Sequence, residues 1–464
     1  MSFVDQFSVK NALRPREFAI TPNGQYLVAA YQDSKNVIVF KIEENGALTY
    51  ITTLQPINTP VAVAFITLIS TSGLSGNALT IANYLNSLGP SFDNLSPIFD
   101  SLDFLSTSEL SKALNRINPA RNTFTTFTSQ NTQFEFSSLV SSRLSDQRML
   151  RFSHPSKQAY ATSANNWDEE THVADASERL ILQKKKRAEK YTFWIGGIGQ
   201  FGYERAQQQN PSFHLNSGGA LVAFDYLGFD NALIGGGIGY AHNSIHEAQN
   251  AGEGSIDIYL ATFYGIAYLS SFYFEGALFG AYDQFKNERH IFFPGYDQTA
   301  KSHHQGYQLT PHVGLGYDIN SQQTVFEPFL AFDWAINFEE GYKEHGTTSL
   351  NMTIRHRNSS MLRSEAGLNV YQNLNFSWGI IAFREKISYV NKKLFGVGRL
   401  TAAVVGAPGF FTVEALGPAQ NLVSPAFEFF VKGANGWFGS LSYEGEFGSR
   451  YLSNTIFGKL GKYF

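Results

Sequence analysis

Gly436-Trp-Phe-Gly-Ser-Leu-Ser-Tyr-Glu-Gly-Glu-Phe-Gly448 is the stretch whose reading decides the fold. Read at a period of two, Trp437, Leu441, Tyr443 and Phe447 share one face with Gly439 and Gly445. Ser440, Ser442, Glu444 and Glu446 share the other with Phe438. Successive side chains of a strand point to opposite faces, so one face suits lipid and the other water. Leu452–Phe464 repeats the pattern, with Ile456, Gly458, Leu460, Lys462 and Phe464 on one side. A lysine near the membrane interface costs only about 0–1 kcal/mol, and its stem can snorkel, so Lys462 is compatible with insertion. A final strand that ends on an aromatic ring fits the closing strand of a membrane barrel, its ring at the lipid–water boundary.

The same period runs back to Thr192. It predicts strands over Thr192–Glu204, Ser217–Gly228, Ala232–Asn243, Ser255–Leu269, Phe272–Asn287, Gly306–Ile319, Val325–Phe338, Ser360–Tyr371, Phe376–Val390, Leu422–Gly433, Gly436–Gly448 and Leu452–Phe464. Twelve is an even number, as single-chain bacterial barrels require. Every second connection is short: Phe229-Asp-Asn231, Ser270-Ser271, Asn320–Thr324, Gln372–Asn375 and Ala434-Asn435. The intervening ones are mostly long, the longest lying between Val390 and Leu422. Short turns on the periplasmic side and long loops on the outer side are the barrel arrangement. The fold class is therefore mainly β: a twelve-stranded transmembrane antiparallel barrel, preceded by a helical linker and a short β-rich N-terminal fragment.

Composition agrees. Aromatics are 15% of 464 residues, glycines number 41, and only 16% of residues are charged. Gly and aromatic residues recur in each hairpin of a barrel. A formal net charge of −4 gives no reason to expect nucleic acid as a partner. Cysteine is absent, which fits passage through an oxidising periplasm. The longest apolar run, Val61–Ile69, is far short of the roughly 20 residues a spanning helix needs. Met1-Ser-Phe-Val-Asp5 carries no basic or apolar signal region, so export leads us to expect that the chain has lost its start.

The segment before the barrel divides in three: 1–69, 70–150 and 151–191. In the first, strands are expected over Glu17–Ile20, Tyr26–Ala30, Val37–Lys41 and Ala47–Thr52, joined by turns at Pro22-Asn-Gly24 and Glu44-Asn-Gly46. In the second, Leu74, Ala78, Ile81, Ala82, Leu85 and Leu88 recur at helical spacing. Ser106-Thr-Ser-Glu109 is a capping box ahead of Leu110, Ala113, Leu114 and Ile117, and Pro119 stops that helix. Phe136–Leu150 is a further helical candidate. The third is a polar linker or pore segment, and its charge run Lys184-Lys-Lys-Arg187 reads as a solvated linker rather than a lipid headgroup contact.

These residues carry two resemblances. Phe18-Ala-Ile-Thr-Pro-Asn-Gly24 resembles the strand and Ser-Pro-Asp-Gly turn of one blade of a lactonase-like, YVTN-type seven-bladed propeller. Residues 72–464 resemble the C-terminal translocator of a type V autotransporter. The motifs are Phe193-Trp-Ile-Gly-Gly-Ile-Gly-Gln-Phe-Gly202, Gly237-Ile-Gly-Tyr-Ala-His-Asn243, Glu327-Pro-Phe-Leu-Ala-Phe-Asp333, Met361-Leu-Arg-Ser-Glu-Ala-Gly-Leu368 and Gly406-Ala-Pro-Gly-Phe-Phe-Thr-Val-Glu414. Gly73-Leu-Ser-Gly-Asn-Ala-Leu79 and Leu105-Ser-Thr-Ser-Glu-Leu110 are similar to the linker that precedes such barrels. The family usually has an aromatic three positions from the end, where this chain has Lys462.

The resemblance implies a barrel in the bacterial outer membrane with the N-terminal passenger exposed at the cell surface. The partners it implies are outer-membrane lipid, the barrel-assembly machinery and the chain's own passenger, the barrel being a monomer. Ile456, Leu460, Tyr463 and Phe464 are the candidate assembly signal. Twelve strands lie between the filled eight-stranded barrel and the open sixteen-stranded one, leaving room for one helix from residues 129–190. Asp225, Asp257, Glu275, Asp283, Arg363, Arg384, Lys386, Glu444 and Glu446 are the candidate lumen-facing charges.

Catalysis finds little support. Gly197-Ile-Gly-Gln-Phe-Gly202 matches G-x-G-x-x-G, but a dinucleotide fingerprint needs a helix to start within it. His303-His304 and His242/His246 lack acidic or Cys neighbours at metal-ligand spacing. No Ser stands in a G-x-S-x-G elbow. Asn165-Asn166 is the type of pair that one autotransporter subgroup cleaves within its barrel, here about 26 residues before the first strand. No enzyme activity, cofactor or metal is expected. The alternatives are a porin-like channel, or a surface adhesin or enzyme whose activity lies in a missing propeller passenger.

Overall fold

The computed structural model describes residues 9, 12–21, 24–54, 57–63, 68–152, 190–206, 211–229, 231–321, 324–395, 399–415 and 420–464. The chain divides into two compact units, 1–72 with 82–107, and 73–81 with 108–464.

In the first unit, β1 (Pro15–Ile20), β2 (Tyr26–Tyr31), β3 (Asn36–Ile42) and β4 (Leu48–Leu54) form one antiparallel sheet in sequence order. Its core is Ala29, Ile38 and Phe40, against which Leu27, Tyr31 and Leu48 pack. Helix α2 (Ser96–Asp103) also belongs here, burying Ile98, Phe99 and Leu102. Sequence periodicity did not reveal α2, because eight residues are too few to establish a repeat. Helix α1 (Gly76–Leu88) is divided between the two units.

The second unit holds α3 (Thr107–Ile117), a 3-10 turn at Pro119–Asn122, α4 (Thr123–Phe152) and the barrel. The barrel strands are β5 (Tyr191–Glu204), β6 (Phe213–Tyr226), β7 (Ala232–Glu247), β8 (Gly252–Leu269), β9 (Phe272–Phe293), β10 (Tyr296–Tyr317), β12 (Thr324–Glu339), β15 (Arg357–Phe376), β16 (Gly379–Phe395), β19 (Gln420–Gly433), β20 (Trp437–Gly448) and β21 (Tyr451–Tyr463). Each pairs antiparallel with its neighbour, β21 returns to β5 and β10 joins β12, so the twelve-stranded sheet closes on itself. Closure satisfies the backbone internally, the condition for spanning hydrocarbon. The short β11 (Ile319–Ser321) extends the hairpin ahead of β12.

Alternation is strict. Along β5, Thr192, Trp194, Ile198 and Gln200 are buried, while Phe193 is 49% and Phe201 58% exposed. The chemistry inverts that of a soluble protein, with aromatics outside and carboxylates inside. Tyr240, Tyr259, Tyr282 and Tyr307 line up across β7–β10, ring centroids 5.3, 6.4 and 5.5 Å apart. At the opposite rim stand Tyr191, Tyr226, Phe272, Tyr317, Trp378, Trp437 and Phe464. Phe272 and Tyr282 are ten residues apart on β9. At about 3.4 Å per residue and a tilt of about 40°, the two girdles are roughly 26 Å apart, the height of a barrel's apolar band.

Two expectations need correction. The segments flanking residue 295 are strand, not loop: β9 and β10 run on past the tyrosine row and turn at Pro294-Gly295, Gly295 taking φ 84°. The alternation there is polar outside, with Lys286, Glu288 and Lys301, so hydropathy conceals a continuing ladder. The turn between β15 and β16 is Ser377-Trp378, not Gln372–Asn375, because the ladder continues to Phe376–Gly379. The long connections β12–β15 and β16–β19 are themselves structured. They supply β13 (Tyr342–Lys343), β14 (Met352–Ile354), β17 (Arg399–Val404) and β18 (Phe411–Glu414), a small antiparallel sheet.

The lumen as candidate functional site

Helix α4 lies inside the barrel, though its composition gives it little intrinsic reason to be a helix. It is rich in Thr, Ser, Asn and Gln, which lose helix stability by competing for the backbone. Asn118 caps the preceding turn through Ala120 N at 3.0 Å, and Pro119 presets its first residue. The rest of its stability comes from the wall. Phe124, Phe136, Leu139 and Leu144 are fully buried and share one apolar cluster with Trp194, Phe213, Leu215 and Ile256. The wall makes room for them: a Cβ on Gly196 would lie 2.9 Å from Leu139, and one on Gly254 2.7 Å from Phe124.

The other side of α4 is held by charge. Near the tyrosine row, Thr126 donates to Glu339 and Ser129 to Asp283 at 2.6 Å. Midway, Ser137 donates to Asp333, Ser141 to Glu275 at 2.6 Å and Ser142 to Glu428 at 3.0 Å. Toward its C-terminus, Arg143 donates to Asp225 at 2.8 Å, and Arg148 pairs with Glu275 at 2.7 Å and Glu327 at 2.9 Å. Arg151 stacks on Tyr268, 3.7 Å from the ring centroid. Basic residues in the last turns also suit the negative end of the helix dipole. These pairs are buried, and a buried pair broken on one side costs about 3–5 kcal/mol.

Behind the helix the wall charges pair with one another. Arg363 sits 2.7 Å from Glu365 and 3.3 Å from Glu446, and Lys386 bridges Glu365 at 2.8 Å and Glu444 at 3.0 Å. Lys459 joins Asp146 of α4 to Glu428, each at 2.9 Å, and Arg384 joins Glu428 at 3.0 Å. His312 lies 2.7 Å from Asp333. Between α4 and this network remains a cavity of about 40 Å³, room for a water or two rather than a conduit. Beyond the outer tyrosine row, Tyr342 stacks on His304 at 4.0 Å, and burial and the Glu344 carboxylate raise its phenol pKa.

Of the sequence candidates, Asp225, Glu275, Asp283, Arg363, Arg384, Glu444 and Glu446 are buried, Lys386 is half-buried, and all lie in this network. Asp257 does not. It shares the parity of Tyr259 on the outer face, where it accepts from the Tyr240 hydroxyl at 2.7 Å and meets His242 at 2.9 Å. The residues next to it, Ile256 and Ile258, point inward instead, so the apolar-out rule misassigns this strand. The assembly candidates also divide. Ile456, Leu460 and Phe464 are exposed to the lipid side, whereas Tyr463 is buried and bonded to Arg143 at 3.0 Å.

Sequence reading missed Arg143, Arg148, Glu327, Asp333, Glu365, Glu428 and Lys459. Parity within each strand marks the wall residues, since Glu365 is two residues from Arg363 and Lys459 four from Tyr463. The helix that fills the lumen begins at Thr123, not 129, and is described to Phe152. Asn165-Asn166, Lys184–Arg187 and Pro22-Asn23 lie outside the described residues. Gly197–Gly202 runs within β5, with no helix starting in it. Among the described residues, no cluster of His, Asp and Glu has the makings of a metal site, and no helix is long and apolar enough to cross a membrane.

The model of the autotransporter beta-domain family matches residues 193–444, more than half of the chain. That of the lactonase 7-bladed beta-propeller family matches residues 1–65. No curated protein matches. Among solved structures, the translocator domain of autotransporter NalP from Neisseria meningitidis is 13% identical with a TM-score of 0.48, covering 65% of this chain and 100% of its own. The beta domain of the Bordetella autotransporter BrkA is 12% identical with a TM-score of 0.46, covering 59% and 100%. The transport unit of AIDA-I from Escherichia coli is 14% identical with a TM-score of 0.38, covering 66% and 95%. The chain belongs to the autotransporter beta-domain family, as an outer-membrane translocator barrel whose N-terminal side is exposed at the cell surface.

Proposed function

We propose that α4 is the trailing end of the exported segment, left in the lumen when export is complete, and that the lumen charges are its seat. The single observation that carries this reading is the polarity of α4. Its N-terminal end meets the rim beyond the tyrosine row, and its C-terminal end meets Tyr268 and Asn373 at the rim of short turns. A chain leaving through the barrel with its N-terminal part outside ends with this direction. Residues 1–69 are the passenger, 70–122 the outer linker, and 192–464 the barrel. With no nucleotide outside the cell, passenger folding and the lumen pairs supply the direction.

The barrel acts as a monomer and does no chemistry of its own. Its partners are outer-membrane lipid and the barrel-assembly machinery, which Ile456, Leu460 and Phe464 address from the lipid face. Tyr463 serves the seat instead. A porin-like channel fits less well, since α4 occupies the lumen and the cavity between it and the Arg363–Lys386 network is about 40 Å³. The test is single-channel recording from the full chain and from a variant lacking 123–152. A nearly closed full chain and a steadily conducting variant are expected; equal conductance would sink the reading. A tag at residues 57–60 should be digested by protease on intact cells, and protection would count against display.

A further inference from the structure

The seat just described lies in the lower and middle lumen, and it leaves a second cluster at the outer rim without a role. There the chain turns from α3 into α4 through Ile117–Asn122. Arg289, at the far end of β9, donates to the carbonyls of Ile117 at 2.7 Å and Leu350 at 3.2 Å, and to Glu344 at 3.2 Å. Glu344 also accepts from Met352 N at 2.9 Å and from the Asn122 amide at 3.3 Å. On the other side of the corner, Arg121 Nε donates to Glu247, at the end of β7, at 3.0 Å. Arg289 and Glu344 side chains are each only 1% exposed.

The cluster is costly, which makes its position informative. Two arginine–carboxylate pairs buried beyond the membrane contribute little net stability compared with apolar packing of the same volume. What they provide is a fixed geometry. Arg289 donates to the last carbonyls of α3, Arg116 at 3.5 Å and Ile117 at 2.7 Å, which the helix leaves unpaired and holds pointing in one direction.

We propose that Arg289, Glu344 and Glu247 are positioning residues that set the end point of export: they grip the Ile117–Asn122 corner as it clears the rim and keep α4 from sliding back. This rests on α4 being the trailing end of an exported segment.

Voltage separates the two roles. Between Thr123 and Phe152, α4 carries Arg143, Arg148 and Arg151 against Glu135 and Asp146, so a potential negative on the periplasmic side draws it backwards. Full-length Arg289→Ala and Glu247→Gln, checked for folding by heat-modifiable gel mobility, would be recorded in planar bilayers at both polarities. Openings should rise at least tenfold at the backward-drawing polarity and stay near the parent level at the other. Exchanging the charges in Arg121→Glu/Glu247→Arg should restore a quiet trace. Variants as quiet as the parent at both polarities, while the chain lacking 123–152 conducts, would overturn the stop and leave the seat standing. Openings raised equally at both polarities would also overturn it, reducing the cluster to general stability. If the chain lacking 123–152 itself conducts no better than the parent, the underlying reading of α4 fails instead.

Discussion

Arg143→Ala should unseat α4 while leaving the barrel closed. Arg143 is fully buried and gives Nε and Nη2 to Asp225 at 3.0 and 2.8 Å and Nη1 to Tyr463 at 3.0 Å, with Phe438 4.5 Å beneath it. Alanine leaves Asp225 buried among Trp194 and Tyr264 with no cation. Breaking a buried pair on one side costs about 3–5 kcal/mol, and about 1.4 kcal/mol is a factor of ten. The unseated population should therefore rise roughly a hundred- to four-thousand-fold. Single-channel recording reads it as openings to the level of the chain lacking 123–152. Arg143→Lys should be intermediate, since a point charge does not reproduce the fork between Asp225 and Tyr463. Adding Asp225→Asn to Arg143→Ala should recover part of the loss, because a buried neutral amide costs less than a stranded carboxylate. An Arg143→Ala trace as closed as the parent, with the deletion conducting, would refute the seat.

Glycine notches give a second check. Gly196→Val should destabilise the α4 seat by about 1–3 kcal/mol, the usual cost of overpacking, because its Cβ would lie 2.9 Å from Leu139. Gly199→Val on the outer face, where a Cβ meets open space, should not, and the midpoint of heat-induced gel shift compares the two. Deleting Phe464 should lower outer-membrane levels, while Lys462→Tyr should hold or raise them, since Lys462 already lies 5.4 Å from the Trp437 ring and 5.3 Å from that of Phe464. Quantitative blotting of outer-membrane fractions decides, and the opposite order would contradict the face assignment. Asp257→Ala should leave conductance unchanged, because its partners Tyr240 and His242 are outside the barrel. A shift in conductance would return Asp257 to the lumen.

The barrel was legible because lipid imposes alternation so strongly that a single strand, Gly436–Gly448, already separates two solvents. The hydropathy signal fades where the outer face meets water and the inner face is polar as well, Lys286 and Glu288 outside with Asn287 and Arg289 buried inside, which is why the outer halves of β9 and β10 read as loop. The lumen was harder. Wall charges follow from parity once a strand is fixed, yet β8 breaks the pattern by placing Ile256 and Ile258 inside and Asp257 outside. Helix α4 was legible only over Phe136–Leu150, its C-terminal half. Its serines and threonines carry no helical stripe, and they are helical because Asp283, Asp333, Glu275 and Glu428 accept from them across sequence separations of more than a hundred residues. No local signal encodes such partners.

Outward threading of α4 is tested most directly by labelling single cysteines in intact cells, which is clean because the chain has none of its own. Lys112, exposed on α3, and Arg151, at the inner end of α4, would each be replaced by cysteine and treated with a membrane-impermeant maleimide. Lys112→Cys should label on intact cells, and Arg151→Cys only after the outer membrane is permeabilised. Protection of Lys112→Cys together with labelling of Arg151→Cys would place α4 the other way round and contradict export through this barrel.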